Sequence, residues 1–124
     1  MNDIERIESN PRLSRVVIHN GVVWLSGIVA ADCSEGIAGQ TRQVLAQLEQ
    51  WLERAGSCRS RILSAQLWMK DMKADFAGMN AVWGQWFAAG EAPARATAQV
   101  AFDDEQIRLE LMVVAAQKQD GITH

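Results

Sequence analysis

The stretch "EAPARATAQV", Glu91 to Val100, sets one arginine in a run of alanines just after a proline. A guanidinium keeps its proton and is rarely left partly buried without an anionic or planar partner, so Arg95 must be paired, solvated or waiting for a ligand. Read as a strand, the run points Ala94, Ala96, Ala98, Val100 and Phe102 one way, as the expected core side, and Arg95, Thr97, Gln99 and Ala101 the other. If the chain returns through a hairpin closed by Phe102 and Ile107, Glu110 falls opposite Gln99, diagonal to Thr97 and four residues along from Arg95. All four then share the non-core face. Four residues of strand span ~13 Å, too far for neighbours to touch but enough to admit a small molecule between guanidinium and carboxylate. On spacing alone, a pocket for a carboxylate ligand and a plain Arg95–Glu110 ion pair are equal alternatives.

The elements that must position these residues follow from periodicity. Residues 4–8 predict a short first strand, and "SRVVIHNGVVWLSGIV" predicts two strands around Asn20-Gly21, the strongest short hairpin signal. With His19 facing Val22, Leu13, Arg15 and Val17 share a side with Trp24, Ser26 and Ile28, while Val16, Ile18, Val23, Leu25 and Val29 take the other. A helix is predicted over about 34–55, from the stripe Val44, Leu45, Leu48, Trp51, Leu52 and Ala55, with Gly56 to end it. In "RILSAQLWMK" the period returns to two: Leu63, Ala65, Leu67 and Met69 face the core, against Ser64, Gln66, Trp68 and Lys70. A second helix over about 75–89 lines up Phe76, Met79, Trp83, Trp86 and Phe87, with Asn80 on the stripe's border and a stop at Gly90. "KDMK", residues 70–73, is expected as a solvated connection. Strands from Arg95 and over 107–116, joined by "DDEQ", close the chain.

This order predicts an α+β fold, a mixed sheet with both helices packed on one face. The other face then carries Trp24, Trp68, Met112 and Val114, more apolar surface than a monomer normally shows to water, and burial against identical subunits is the expected remedy.

Composition narrows the setting. With 124 residues and 48% hydrophobic content, the chain, 1–124, is expected to form one domain with a sizeable core. Cys33 and Cys58 make no CxxC pair, and with His19 and His124 as the only imidazoles no zinc spacing appears, so no metal is expected. The N-terminal "MNDIERIESNPRL" lacks the pattern of an export signal and no apolar run reaches ~18 residues, so neither secretion nor membrane spanning is expected and a cytoplasmic location is. A net charge of −3 gives no footprint for tracking phosphates, so nucleic acid is a poor partner. Gly36 and Gly39 precede "QTRQ" without a GK[ST] ending, so they form no phosphate loop. Ser26 lacks a G-x-S-x-G elbow, which removes a serine triad.

Over nearly its whole length the chain resembles the RidA (YjgF) family. The residues that carry the likeness are "LSG" at 25–27, "DFAGMNAVWGQWF" at 75–87, "APARAT" at 92–97 and "RLELMVVAA" at 108–116. The resemblance implies a chorismate mutase-like fold, assembled as a homotrimer around an internal barrel, with clefts between subunits. It implies deamination of 2-imino and enamino acids to 2-oxoacids and ammonia, without a cofactor. By the same resemblance Arg95 clamps the substrate carboxylate, Glu110 positions water, and Thr97 stands where many members carry cysteine and offers its backbone carbonyl to that water. Ser26 and Asn80 match site-lining positions. As plain structural residues they would instead be a strand serine bonded to backbone and a helix-border asparagine bonded across the core. Leu13 stands where active members have tyrosine, and the chain has no tyrosine at all.

Three functions remain in order: an imine deaminase, a trimeric module that binds a carboxylate metabolite and regulates a partner, and the endoribonuclease of the family's common label. Leu13 keeps the second open. The third lacks a pair of catalytic histidines and a basic stripe.

Overall fold

The computed structural model describes residues 3–119. Its elements run β1 (Glu5–Ser9), β2 (Ser14–His19), β3 (Val22–Leu25), α1 (Ile37–Arg54), β4 (Ile62–Met69), α2 (Met72–Trp86), β5 (Ala94–Gln99) and β6 (Leu109–Ala116), with a 3₁₀ turn at Arg59–Arg61 before β4. They form one mixed sheet, ordered β1-β2-β3-β6-β4-β5, with both helices on one face.

Local chemistry explains most boundaries. Asn20 and Gly21 both hold positive φ, 51° and 77°, as a type I′ turn requires, and His19 faces Val22 as expected. α1 ends in a Schellman motif around Gly56, φ 77°, where the Gly56 N–H donates to Glu53 O and the Ser57 N–H to Leu52 O at 2.8 Å. α2 begins three residues earlier than the periodicity predicts, because Asp71 caps it by accepting from the Ala74 N–H at 3.1 Å. "KDMK" therefore opens this helix rather than linking solvated elements, and α2 stops at Trp86, short of Ala89.

The core lies between sheet and helices. Val16, Ile18, Val23 and Leu25 from the hairpin, Ala65, Leu67 and Met69 from β4, and Leu109, Leu111, Val113 and Ala115 from β6 are buried against Val44, Leu45, Leu48 and Leu52 of α1 and Met79 and Trp83 of α2. Two alternations slip. β3 ends at Leu25, and the bend through Ser26 and Gly27 brings Ile28 into the core beside Leu111 instead of onto the side of Trp24. The β4 register shifts between Ile62 and Ser64, so Ile62 is buried and Leu63 faces solvent.

The larger correction concerns β5. The expected hairpin between β5 and β6 is absent: β4 lies between them, and β5 pairs with β4 in parallel. A helix stands between β4 and β5 in the chain, and such a crossover delivers the next strand parallel to the first. The register Ala65↔Arg95 and Leu67↔Thr97 puts Arg95, Thr97 and Gln99 on the helix-covered face. Ala94, Ala96 and Ala98 are exposed on the other side, beside Gln66 and Trp68, so the alanine row is not core.

That open face carries cross-strand rows Val17–Trp24–Val114, Met112–Gln66–Ala96 and Glu110–Trp68–Ala98. Trp24 is 51% exposed and Trp68 37%, as the expectation of an apolar outer face required. Fully burying a large apolar side chain is worth roughly 1.5–3 kcal/mol, so this surface has much to gain from cover.

Candidate functional site

Arg95 sits near the sheet edge beneath α2. Its Nη1 donates to Asn80 Oδ1 at 2.7 Å and approaches Met79 Sδ at 3.9 Å. Its guanidinium lies 5.5 Å from the Trp83 ring centroid and 5.8 Å from that of Phe76. These four residues come from successive turns of α2, whose inner face crosses β5 at this point. Removal from water pushes the Arg95 guanidinium below its ordinary range, yet an arginine keeps its charge under such a shift. Among the described residues no carboxylate pairs with it. Thr97 lies two residues further along the same side of β5.

A second group gathers on the open side. Ser26 Oγ donates to the Ser14 carbonyl at 2.6 Å, which ties the bend after β3 to the start of β2 and to the neighbouring Leu13, 45% exposed. With its hydrogen engaged, that hydroxyl can offer a ligand only lone pairs. Glu110 Oε2 lies directly over Gly27, where a Cβ would collide with the carboxylate and stand 2.8 Å from its Cδ. A side chain at position 27 would have to push the end of the glutamate aside.

The predicted site residues therefore form two sets. Arg95, Asn80 and Thr97 belong to the helix side, and Glu110, Ser26 and Leu13 to the open side. Arg95 and Glu110 do not share a face, which corrects the geometry expected from the hairpin and also removes a simple ion pair between them within one chain. Ser26 fits the reading of a serine bonded to backbone. Asn80 is bonded, but to Arg95. Gly27, Phe76, Met79 and Trp83 were not identified as site residues from sequence. The α2 stripe held the signal for the last three, and the parallel pairing of β5 was needed to aim it at Arg95.

A separate cleft of about 410 Å³ lies between the loop before α1, the start of α2 and the loop before β6. Its buried Asp75, 4% exposed, is already held by Arg108 Nη1 at 3.1 Å to both oxygens. Gln40, fully buried, donates to the carbonyls of Cys33, Glu35 and Gln106 and accepts from the Arg108 N–H, which knits those loops together. Among the described residues no group of three or more His, Cys, Asp or Glu side chains is placed to hold a metal, and no helix is long and apolar enough to cross a membrane. His124 lies outside the described residues.

The sheet with two helices on one face is the fold of YjgF proteins. A member of the YjgF protein family from Neisseria meningitidis superposes with a TM-score of 0.89 at 39% identity, over 94% of this chain and 96% of that one. The model of the family described as Endoribonuclease L-PSP matches residues 3–117, and this chain belongs to that family, the RidA (YjgF) family. It is similar to the RutC family protein YoaB of Escherichia coli K12, 40% identical over 116 residues that cover 91% of this chain and 97% of the relative. It is also 30% identical, over 82% of its length and 57% of the relative's, to a chloroplastic protein of Arabidopsis thaliana named Reactive Intermediate Deaminase A.

Proposed function

We propose that the protein hydrolyses 2-imino acids, in equilibrium with their enamines, to 2-oxoacids and ammonia, at a site built between two copies of the chain. One observation carries this: Arg95 is a partly buried guanidinium that no carboxylate among the described residues pairs with. Such a group asks for an anionic ligand, and a planar carboxylate matches its fork. The name of the Arabidopsis relative supports the choice of reaction.

Glu110 stands on the opposite face of the sheet from Arg95, so a ligand held by one meets the other only if a second copy brings it. The apolar open face, with Trp24, Trp68 and the small Ala94, Ala96 and Ala98, is suited to receive that copy, and closed three-fold assembly as a homotrimer repeats the contact without an open end. Arg95 then binds the substrate carboxylate, and Asn80 and Thr97 complete its side of the cleft. Ser26, Gly27 and Glu110 of the neighbour meet the reacting carbon, and Leu13 forms an apolar wall.

Glu110 takes a proton from water as the oxygen adds to C2 of the protonated imine. The C=N π pair moves to nitrogen, giving a carbinolamine. Return of that proton to nitrogen lets ammonia leave with the C–N pair, and as the C=O forms the hydroxyl proton passes to the freed Glu110 carboxylate and on to solvent, which balances the proton the imine carried in; imino acid plus water becomes oxoacid plus ammonia. Positioning supplies much of the rate, because the iminium carbon is already electrophilic. No cofactor has a step to perform.

The exposed Leu13 favours a second reading, a module that binds a carboxylate metabolite without turning it over, since an aliphatic side chain supplies no hydroxyl to substrate or water. RNA cleavage has less to build on: His19, the one histidine among the described residues, sits at the hairpin turn 3.1 Å from Asn20. A coupled assay decides between the first two. An amino acid oxidase generates the imine, and 2-oxoacid release is timed with and without the protein. Deamination predicts faster release; oxoacid binding by calorimetry without any acceleration would establish the binding module instead.

A further inference from the structure

Asn80 was expected to line the ligand pocket, yet its amide oxygen is already committed to Arg95 Nη1 at 2.7 Å. The other contact of that nitrogen is Met79 Sδ at 3.9 Å. Both contacts that Nη1 makes, a short one to the amide oxygen and a long one to the thioether, are to α2. Two aromatic rings lie close to the same guanidinium, and Trp83, itself buried, is braced by Phe87 at 5.1 Å, which meets Trp86 at 5.0 Å. The group is therefore held at one corner and against ring surfaces. No hydrogen bond within the described residues takes up Nε–H or Nη2–H, and those two lie on the edge away from the Nη1 corner.

We propose that Asn80 is a positioning residue for Arg95: with Met79 it consumes Nη1, so that the guanidinium receives the ligand carboxylate through its side-on Nε/Nη2 edge, while Trp83 and Phe76 keep the plane from turning. This rests on the reading of Arg95 as the carboxylate clamp and adds which edge of the clamp does the work. A guanidinium free to rotate presents either an end-on or a side-on fork; one that has lost Nη1 to the protein offers only the second. The consequence for selectivity is steric. The carboxylate plane must align with a guanidinium plane set by α2, and Phe76, 37% exposed, stands at its border to meet the substituent next to the carboxylate. A lysine at 95 could satisfy neither the amide corner nor the two-point fork.

The test uses the full chain labelled with ¹⁵N-arginine, with the Arg95 guanidinium signals assigned by their loss in Arg95→Lys. In the free parent the Nη1 protons should be resolved, because rotation about Nε–Cζ is slow. Adding 2-oxobutyrate should move the Nε–H and Nη2–H signals and leave Nη1 in place. Asn80→Ala should merge the Nη signals and raise the calorimetric Kd for 2-oxobutyrate by about 10-fold or more, with the melting temperature held close to the parent's. Asn80→Asp should keep the Nη1 signals resolved yet also weaken oxoacid binding, since its charge competes for the guanidinium. A 2-oxobutyrate-induced shift confined to Nη1, or an unchanged Kd in Asn80→Ala, would overturn the positioning role. Two outcomes separate this inference from the reading beneath it. Merged Nη signals in a parent that still binds 2-oxobutyrate would defeat the hold by Asn80 and leave the oxoacid site standing. Resolved Nη1 signals in a parent blind to 2-oxobutyrate would defeat the oxoacid site, and the carboxylate-facing edge with it.

Discussion

Arg95 and Glu110 live in contrasting surroundings. The arginine lies under α2, held by an amide, a thioether and two aromatic rings; the carboxylate lies on the open side, laid over a glycine at a bend. The first setting fixes a charge in place and lowers its contact with water. The second leaves a flexible side chain one defined resting place and access to solvent. In the proposed reaction, binding calls for the former and proton transfer for the latter. Arg95 and Glu110 lie on opposite faces of one sheet, so the proposed site needs the second of them from another copy.

Arg95→Ala should have the largest effect. A clamp that acts in ground and transition states alike costs roughly 2–5 kcal/mol when removed, so oxoacid affinity and turnover should fall together. Calorimetry with 2-oxobutyrate beside the coupled imine assay reads both. Unchanged oxoacid affinity would show that Arg95 is not the clamp. Glu110→Gln preserves shape and removes the basic oxygen, so turnover should fall by about 10²-fold while affinity stays within a few-fold. Equal losses in both quantities would erase the difference between the halves.

Gly27→Ala probes the open half more gently. The atom in the way is the far end of a flexible glutamate, so stability should drop by less than about 1 kcal/mol in chemical denaturation. The carboxylate must still leave its resting place, and a turnover loss of about 10-fold is expected, since misplacing a catalytic group by an ångström or so is costly. A variant as active as the parent would mean that Glu110 works from another position.

The sequence made some of this legible for identifiable reasons. Asn20-Gly21 specified a turn that only positive φ at both positions satisfies, and the hairpin register followed from it. The α1 stripe named buried residues apart from the partly covered Trp51, whereas of the α2 stripe Met79 and Trp83 are buried, Trp86 and Phe87 partly covered and Phe76 exposed. What stayed hidden was pairing between strands distant in sequence. The alternation in "ARATAQ" shows which residues share a side of β5 but carries no sign of which side faces the helices, and a row of alanines looked like core when it is the exposed side of an edge strand. Once β4 takes the place beside β5, Arg95 turns under α2 and the cage of Asn80, Met79, Trp83 and Phe76 follows. The bulge at Ile62 and Ser64 and the bend at Ser26 and Gly27 were hidden for a related reason: each shifts a strict alternation by one residue, and nothing local announces it.

The claim that the halves belong to different copies can be tested by complementation. Arg95→Ala and Glu110→Gln, each carrying a different affinity tag, are co-expressed and mixed assemblies isolated through both tags. Every trimer that carries both tags holds two copies of one variant and one of the other, so about one site in three joins an intact Arg95 from one chain to an intact Glu110 from another, and activity in the coupled imine assay should return to roughly that fraction of the parent's, far above either variant alone. Mixed assemblies no more active than the variants themselves would contradict a site shared between subunits.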